Sequence, residues 1–115
     1  MGMATNELIY LATPYSDDDP EIRKQRFLIV NVVAAKLMAA GDHVFSPISH
    51  THPIALAGDL PKGWDYWEKY DRIMLAACTK LIVVCQDGWS KSTGVTAEVK
   101  IAHEMGIPVE YMGSD

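Results

Sequence analysis

The chain has 115 residues, 49% of them apolar and 22% charged, with a formal net charge of −5. That length allows one domain with a real core and not two. The acidic balance without a basic run argues against a nucleic-acid polymer as partner, and no apolar run is long enough to span a membrane.

Residues 1–7 read as a flexible leader and residues 8–115 as one domain. Leu8 to Ala12 is a short apolar run ending in Thr13 and Pro14, the mark of a buried strand. A polar loop follows to Asp19, and Asp19 before Pro20 is a helix start. Phe27, Val30, Val33, Ala34, Leu37 and Met38 recur at helical spacing until Ala39, Ala40 and Gly41 close the helix. His43 to Ser46 is a second short strand, stopped by Pro47. The stretch from Ile48 to Lys62 contains Pro53 and Pro61 and reads as a long loop, with one helical turn around 54–57. Asp65 with Glu68 three residues on resembles a capping box, starting a helix that runs through Cys78. Lys80 to Cys85 is a buried strand, Gln86 to Gly94 a polar loop, Val95 to Met105 a helix stopped by Gly106, and a last strand begins at Pro108.

Strands alternating with helices predict an α/β fold with a parallel sheet of four or five strands. Right-handed crossovers give the order 2-1-3-4 in a Rossmann-like (flavodoxin-like) three-layer sandwich. Ligands of such sheets bind at the carboxyl ends of the strands beside the switch point. The loops concerned are Thr13–Asp19 and Gln86–Gly94, which makes Thr13, Tyr15, Ser16, Ser92 and Gly94 candidate substrate contacts.

Two acids stand out. Glu98 lies at the border of an apolar stripe, near the start of the last long helix; it is either functional or an ordinary glutamate at a favourable dipole end. Asp71 shares a stripe with Trp67, Met74 and Cys78, where a carboxylate is costly to bury unless paired or protonated. The plainer reading is an edge aspartate paired with Arg72 or Lys69. Tyr10, inside the first strand, matters only because that strand borders the switch point. Ser92 and Thr93 suit both helix capping and an anion such as phosphate. His50 is the substrate-contact candidate of the long loop. The pair His50-x-His52 lacks a third ligand, so no metal is expected, and no cofactor is implied. Cys78 and Cys85 read as buried free thiols of a cytoplasmic protein.

Ile9 to Ala12, the Asp71 helix, and Ser92-Thr93-Gly94-Val95-Thr96-Ala97-Glu98 with Ala102 and Gly106 to Val109 resemble the nucleoside 2-deoxyribosyltransferase superfamily. That group includes 2′-deoxynucleoside 5′-monophosphate N-glycosidases and the CMP hydrolases of antibiotic pathways. Tyr10 to Ser16 and Ser46 to Pro53 resemble, more narrowly, its DUF1937 branch. The resemblance covers Leu8 to Val109. It implies that Glu98 attacks the anomeric carbon of a nucleoside or nucleotide, expels the base and holds a glycosyl ester. It further implies that Tyr10 holds the nucleophile, that Asp71 assists base departure or sugar binding, and that Ser92 binds a 5′-phosphate. A nucleoside 5′-monophosphate hydrolase is therefore expected. The alternatives are a 2-deoxyribosyltransferase acting on unphosphorylated nucleosides and a non-catalytic nucleotide sensor. A homo-oligomer (dimer or tetramer) is also implied, with aromatic residues of the 64–70 segment serving an interface and C-terminal elements completing a neighbour's site. The sequence departs from the superfamily at Thr13 to Ser16, where a small Gly-Ser-like turn is usual.

Overall fold

The computed structural model describes residues 7–61 and 63–113. The leader expected over residues 1–7 therefore lies, apart from Glu7, outside the described residues. Four strands form one parallel sheet: β1 (Ile9–Ala12), β2 (Val44–Phe45), β3 (Lys80–Val84) and β4 (Val109–Met112). Their order is β2-β1-β3-β4, as the connectivity rules predict. Four helices complete the described fold: α1 (Pro20–Ala39), α2 (Pro47–Gly58), α3 (Trp64–Ala76) and α4 (Thr93–Glu104).

The alternation of side chains along β1 and β3 builds a core on each face of the sheet. Tyr10, Ala12, Leu81 and Val83 meet Leu75 and Cys78 from the α3 end and Val95, Ile101 and Ala102 from α4. Ile9, Leu11, Ile82 and Val84 meet Val30, Val33 and Ala34 of α1. The result is the three-layer α/β arrangement, and β1 and β3 are its buried centre.

Helix boundaries follow local chemistry. The Asp19 carboxylate accepts from the Glu21 amide at 2.9 Å, with Pro20 in the first turn. At the other end Gly41 takes φ +101°, and the Gly41 and Asp42 amides turn back to Met38 and Leu37. Within α1 the expected stripe is only partly buried: Phe27 stacks on His52 and Met38 is 53% exposed.

Two expectations are corrected. The stretch from Ile48 to Lys62 is not mainly loop, because α2 runs from Pro47 to Gly58. Ser46 leaves the strand to cap this helix, accepting from the Ser49 amide at 3.4 Å. Pro47 stands where a missing N–H costs nothing. Pro53 lies inside the helix, yet burial of Thr51, His52 and Ala55 outweighs the bond it removes. Asp59, left-handed at φ 52°, ends the helix. The second correction concerns α3. Its N-cap is Gly63, without a side-chain cap bond, and Asp65 lies in the first turn. Glu68 instead pairs with Arg72 at 2.9 Å along the helix surface.

Candidate active site

The connections leaving β1 and β3 diverge to opposite faces of the sheet and open a crevice at the strands' carboxyl ends. A cavity of about 550 Å³ occupies it. The loop after β1 contributes Thr13, Tyr15 and Ser16, the loop after β3 contributes Lys91 and Ser92, α3 contributes Asp71 and α4 contributes Gly94 and Glu98.

Glu98 is placed by the start of its helix. Ser92 caps α4, its hydroxyl accepting from the Val95 amide at 3.1 Å. That sets the phase of the helix, so Val95, Glu98, Ile101 and Ala102 turn inward together. Glu98 is 5% exposed, at the floor of the cavity. The Tyr10 hydroxyl, from the centre of β1, donates to Glu98 Oε2 at 2.5 Å. Asp71 reaches the same spot from α3, close enough for its carboxyl to interact with both Glu98 and Tyr10. Tyr10 does not line the cavity; it supports Glu98 from beneath.

Three acidic groups in so little water cannot all ionise. Burial first, and then the neighbouring Asp71 carboxylate, raise Glu98 well above the ordinary carboxylate range. Burial pushes Asp71 up to about 6, against the hydrogen bonds from Tyr10 and Glu98 that favour its ionised form. The Tyr10 phenol is raised by burial and then by both carboxylates, so it stays a donor. Near neutral pH the two carboxyls hold one proton between them.

A second region of the cavity favours negative charge. Ser92 and Gly94 stand at the N-terminus of α4, and Lys91 precedes them. Arg26 of α1 joins them: its guanidinium donates to the Ser16 carbonyl at 3.0 Å and lies over Gly88. Gly88 has φ +89°, and a Cβ there would meet the Arg26 guanidinium at 2.7 Å. The positive φ favours glycine, and a side chain there would also push the end of Arg26 aside. Gln86, 3% exposed, ties the two loops together. Its amide donates to the Thr13 hydroxyl at 2.6 Å and to the Arg26 carbonyl at 3.2 Å.

The histidines of α2 part company. His52 is buried and lines the cavity, with Nδ1 2.5 Å from the Tyr15 hydroxyl and its ring stacked 4.3 Å from Phe27. His50 is exposed, lies outside the cavity lining and tilts toward Phe45. Among the described residues no set of three or more His, Cys, Asp and Glu side chains forms a metal-binding cluster.

Sequence reasoning singled out Glu98, Asp71, Tyr10, Thr13, Tyr15, Ser16, Ser92 and Gly94, and the fold gathers all of these at one crevice. It missed Arg26, His52, Lys91 and the cavity-lining Trp64 and Trp67. Arg26 had a signal: with Phe27 and Val30 it continues the core stripe of α1, where a cation is out of place.

An α/β sheet with paired carboxyls at its switch point defines the class of protein. A family model described as "Domain of unknown function (DUF1937)" matches residues 7–114, and the chain belongs to that family. Among solved structures it is similar to "2-desoxiribosyltransferase from Leishmania mexicana", with a TM-score of 0.60 and 18% sequence identity. The match covers 95% of this chain and 65% of the other, a likeness of fold. No curated protein matches the chain.

Proposed function

We propose that this protein cleaves the N-glycosidic bond of a nucleoside 5′-monophosphate through a glycosyl ester on Glu98, releasing the free base. The observation that carries the reading is the buried Glu98–Tyr10–Asp71 cluster at the floor of the cavity. Two carboxyls sharing one proton supply a nucleophile and an acid together. A Glu98 carboxylate oxygen attacks the anomeric carbon as the bond to the base breaks. Asp71 gives its proton to the departing base. The Tyr10 hydroxyl, bonded to Oε2, orients the carboxylate and steadies its charge. Asp71, now ionised, takes a proton from water. The hydroxide attacks the ester, frees the sugar phosphate and restores Glu98.

The phosphate suits the α4 N-terminus. The Ser92 hydroxyl accepts from Val95 and keeps its own proton to donate, and the Thr93 and Gly94 amides precede that of Thr96, the first to donate within the helix. Lys91 and Arg26 add positive charge. These features favour a phosphorylated substrate over a bare nucleoside. The name of the structurally similar protein, a 2-desoxiribosyltransferase, supports nucleosides or nucleotides as the substrate class and keeps sugar transfer as the second reading. The homo-oligomer and the cytoplasmic location expected from the sequence belong to this proposal as well. No described helix is long and apolar enough to cross a membrane.

The test is incubation with nucleosides and their 5′-monophosphates, with and without a second base, followed by chromatography of free base and exchanged nucleoside. Free base from monophosphates supports the hydrolase. Exchange without net release supports the transferase, and binding without either supports a sensor.

A further inference from the structure

The proposed chemistry leaves one built feature of the cavity wall unused, the contact of Tyr15 with His52. Both residues line the cavity, Tyr15 from the loop after β1 and His52 from α2. The hydroxyl lies 2.5 Å from Nδ1 of the imidazole. Phe27 stacks on the ring at 4.3 Å and an interplanar angle of 30°, and Tyr15 meets it edge-on. The ring cannot swing without breaking these contacts, so Tyr15 and Phe27 together fix its position.

The direction of the hydrogen bond follows from Arg23. Its guanidinium stands near the Tyr15 hydroxyl and donates to the Asp17 carbonyl. A positive charge there draws the hydroxyl oxygen toward it and turns the proton away, toward His52 Nδ1. An Nδ1 that accepts belongs to an imidazole carrying its proton on Nε2. The second proton that would make it a cation is disfavoured by burial first and by Arg23 next. Arg23 is the charged group that faces this pair. No protein partner for Nε2 exists among the described residues, and the cavity lies against the ring.

We infer that His52 reads the leaving base: its Nε2–H, fixed by Tyr15 and Phe27, donates a hydrogen bond to a ring nitrogen or carbonyl oxygen of the nucleobase. The inference rests on the nucleotide reading of the cavity and adds to it a specificity-determining residue. A neutral donor suits a neutral acceptor, whereas the phosphate already has Lys91, Arg26 and a helix N-terminus. The donor also strengthens as negative charge develops on the departing base, so it aids release as well as recognition. Tyr15 is then a positioning residue, acting through His52.

The test uses the full chain and three variants. In the unaltered protein, imidazole nitrogen spectra are expected to show His52 neutral at pH 7 with the proton on Nε2. Tyr15→Phe is expected to mix the two tautomers. For the base contact, kcat/KM for the preferred monophosphate is compared with the affinity for ribose 5-phosphate, which has no base. His52→Phe keeps the ring stack and loses the donor; it is expected to lower kcat/KM about tenfold and leave ribose 5-phosphate affinity unchanged. His52→Gln keeps a donor and is expected to stay within about threefold of the parent. An unchanged kcat/KM in His52→Phe overturns the inference, as does an equal loss of ribose 5-phosphate affinity. If the unaltered protein releases no base, the hydrolase reading fails on its own. The same comparison is then made on dissociation constants of intact monophosphates against ribose 5-phosphate, with the same outcomes for and against His52.

Discussion

Asp71, Glu98 and Tyr10 make a site whose protonation has a direction. In the proposed mechanism the singly protonated pair is the working form, so activity is expected to rise with pH through about 6, where the doubly protonated form disappears. It falls again at higher pH, where the pair loses its remaining proton. Asp71→Asn is expected to cut kcat roughly 10²–10⁴-fold and to remove the rise near pH 6. A pH–rate profile of both proteins checks this. Stability carries the opposite sign. A carboxyl with a raised folded pKa stabilises the fold fully below its unfolded pKa, about 4.3 for glutamate. It gives that stability up as pH rises through the folded value. Glu98→Gln is therefore expected to abolish base release while raising stability above neutral pH by about 1–3 kcal/mol. Thermal melts across pH measure it; a variant less stable than the parent at high pH contradicts the assigned burial penalty. The two acids were legible because each interrupts an apolar helical stripe. Their meeting was not, since it joins α3, α4 and β1 across the sheet.

Helices α2 and α4 show why some elements can be read and others cannot. The loop into α4 carries its own signals, a serine cap, a glycine and a clean apolar period, so the element and its cap were visible. Ser92→Ala removes both cap and hydroxyl. It is expected to cost about 1 kcal/mol of stability and to reduce turnover of monophosphates more than of nucleosides. Melting curves and paired kinetics read the two effects, and equal kinetic losses would leave Ser92 a cap alone. Helix α2 was hidden by Pro47, Pro53 and Pro61, which read locally as breakers. It exists because its inner side is buried, a tertiary effect that a local pattern does not carry. Misreading it had a consequence at the site. In a loop His50 and His52 are equivalent, whereas residues two apart on a helix point about 200° apart, so only one can face the cavity. Pro53→Ala is expected to leave α2 intact and to raise stability by about 1 kcal/mol, net of the entropy that proline removes from the unfolded chain.

At the scale of the whole molecule, the sheet order β2-β1-β3-β4 followed from handed crossovers and burial, and it located the crevice before any side chain was considered. What the order could not supply was the lining from α1 and α2, because Arg26 and His52 reach the crevice only once those helices pack together. The cavity joins three connecting segments and four helices at the ends of the central strands, so a ligand that fills it should stabilise the fold as a unit. A nucleoside 5′-monophosphate at 100 times its dissociation constant is expected to add about 2.7 kcal/mol. Thermal shift with monophosphates, nucleosides and ribose 5-phosphate ranks the parts of the ligand that matter. The measurement that bears most directly on the account is free-base release from nucleoside 5′-monophosphates by the unaltered protein and by Glu98→Ala, prepared and assayed side by side. The account predicts release by the first and none by the second, with the variant still folded. Equal release by the variant, or none by the unaltered protein from any monophosphate, would contradict it.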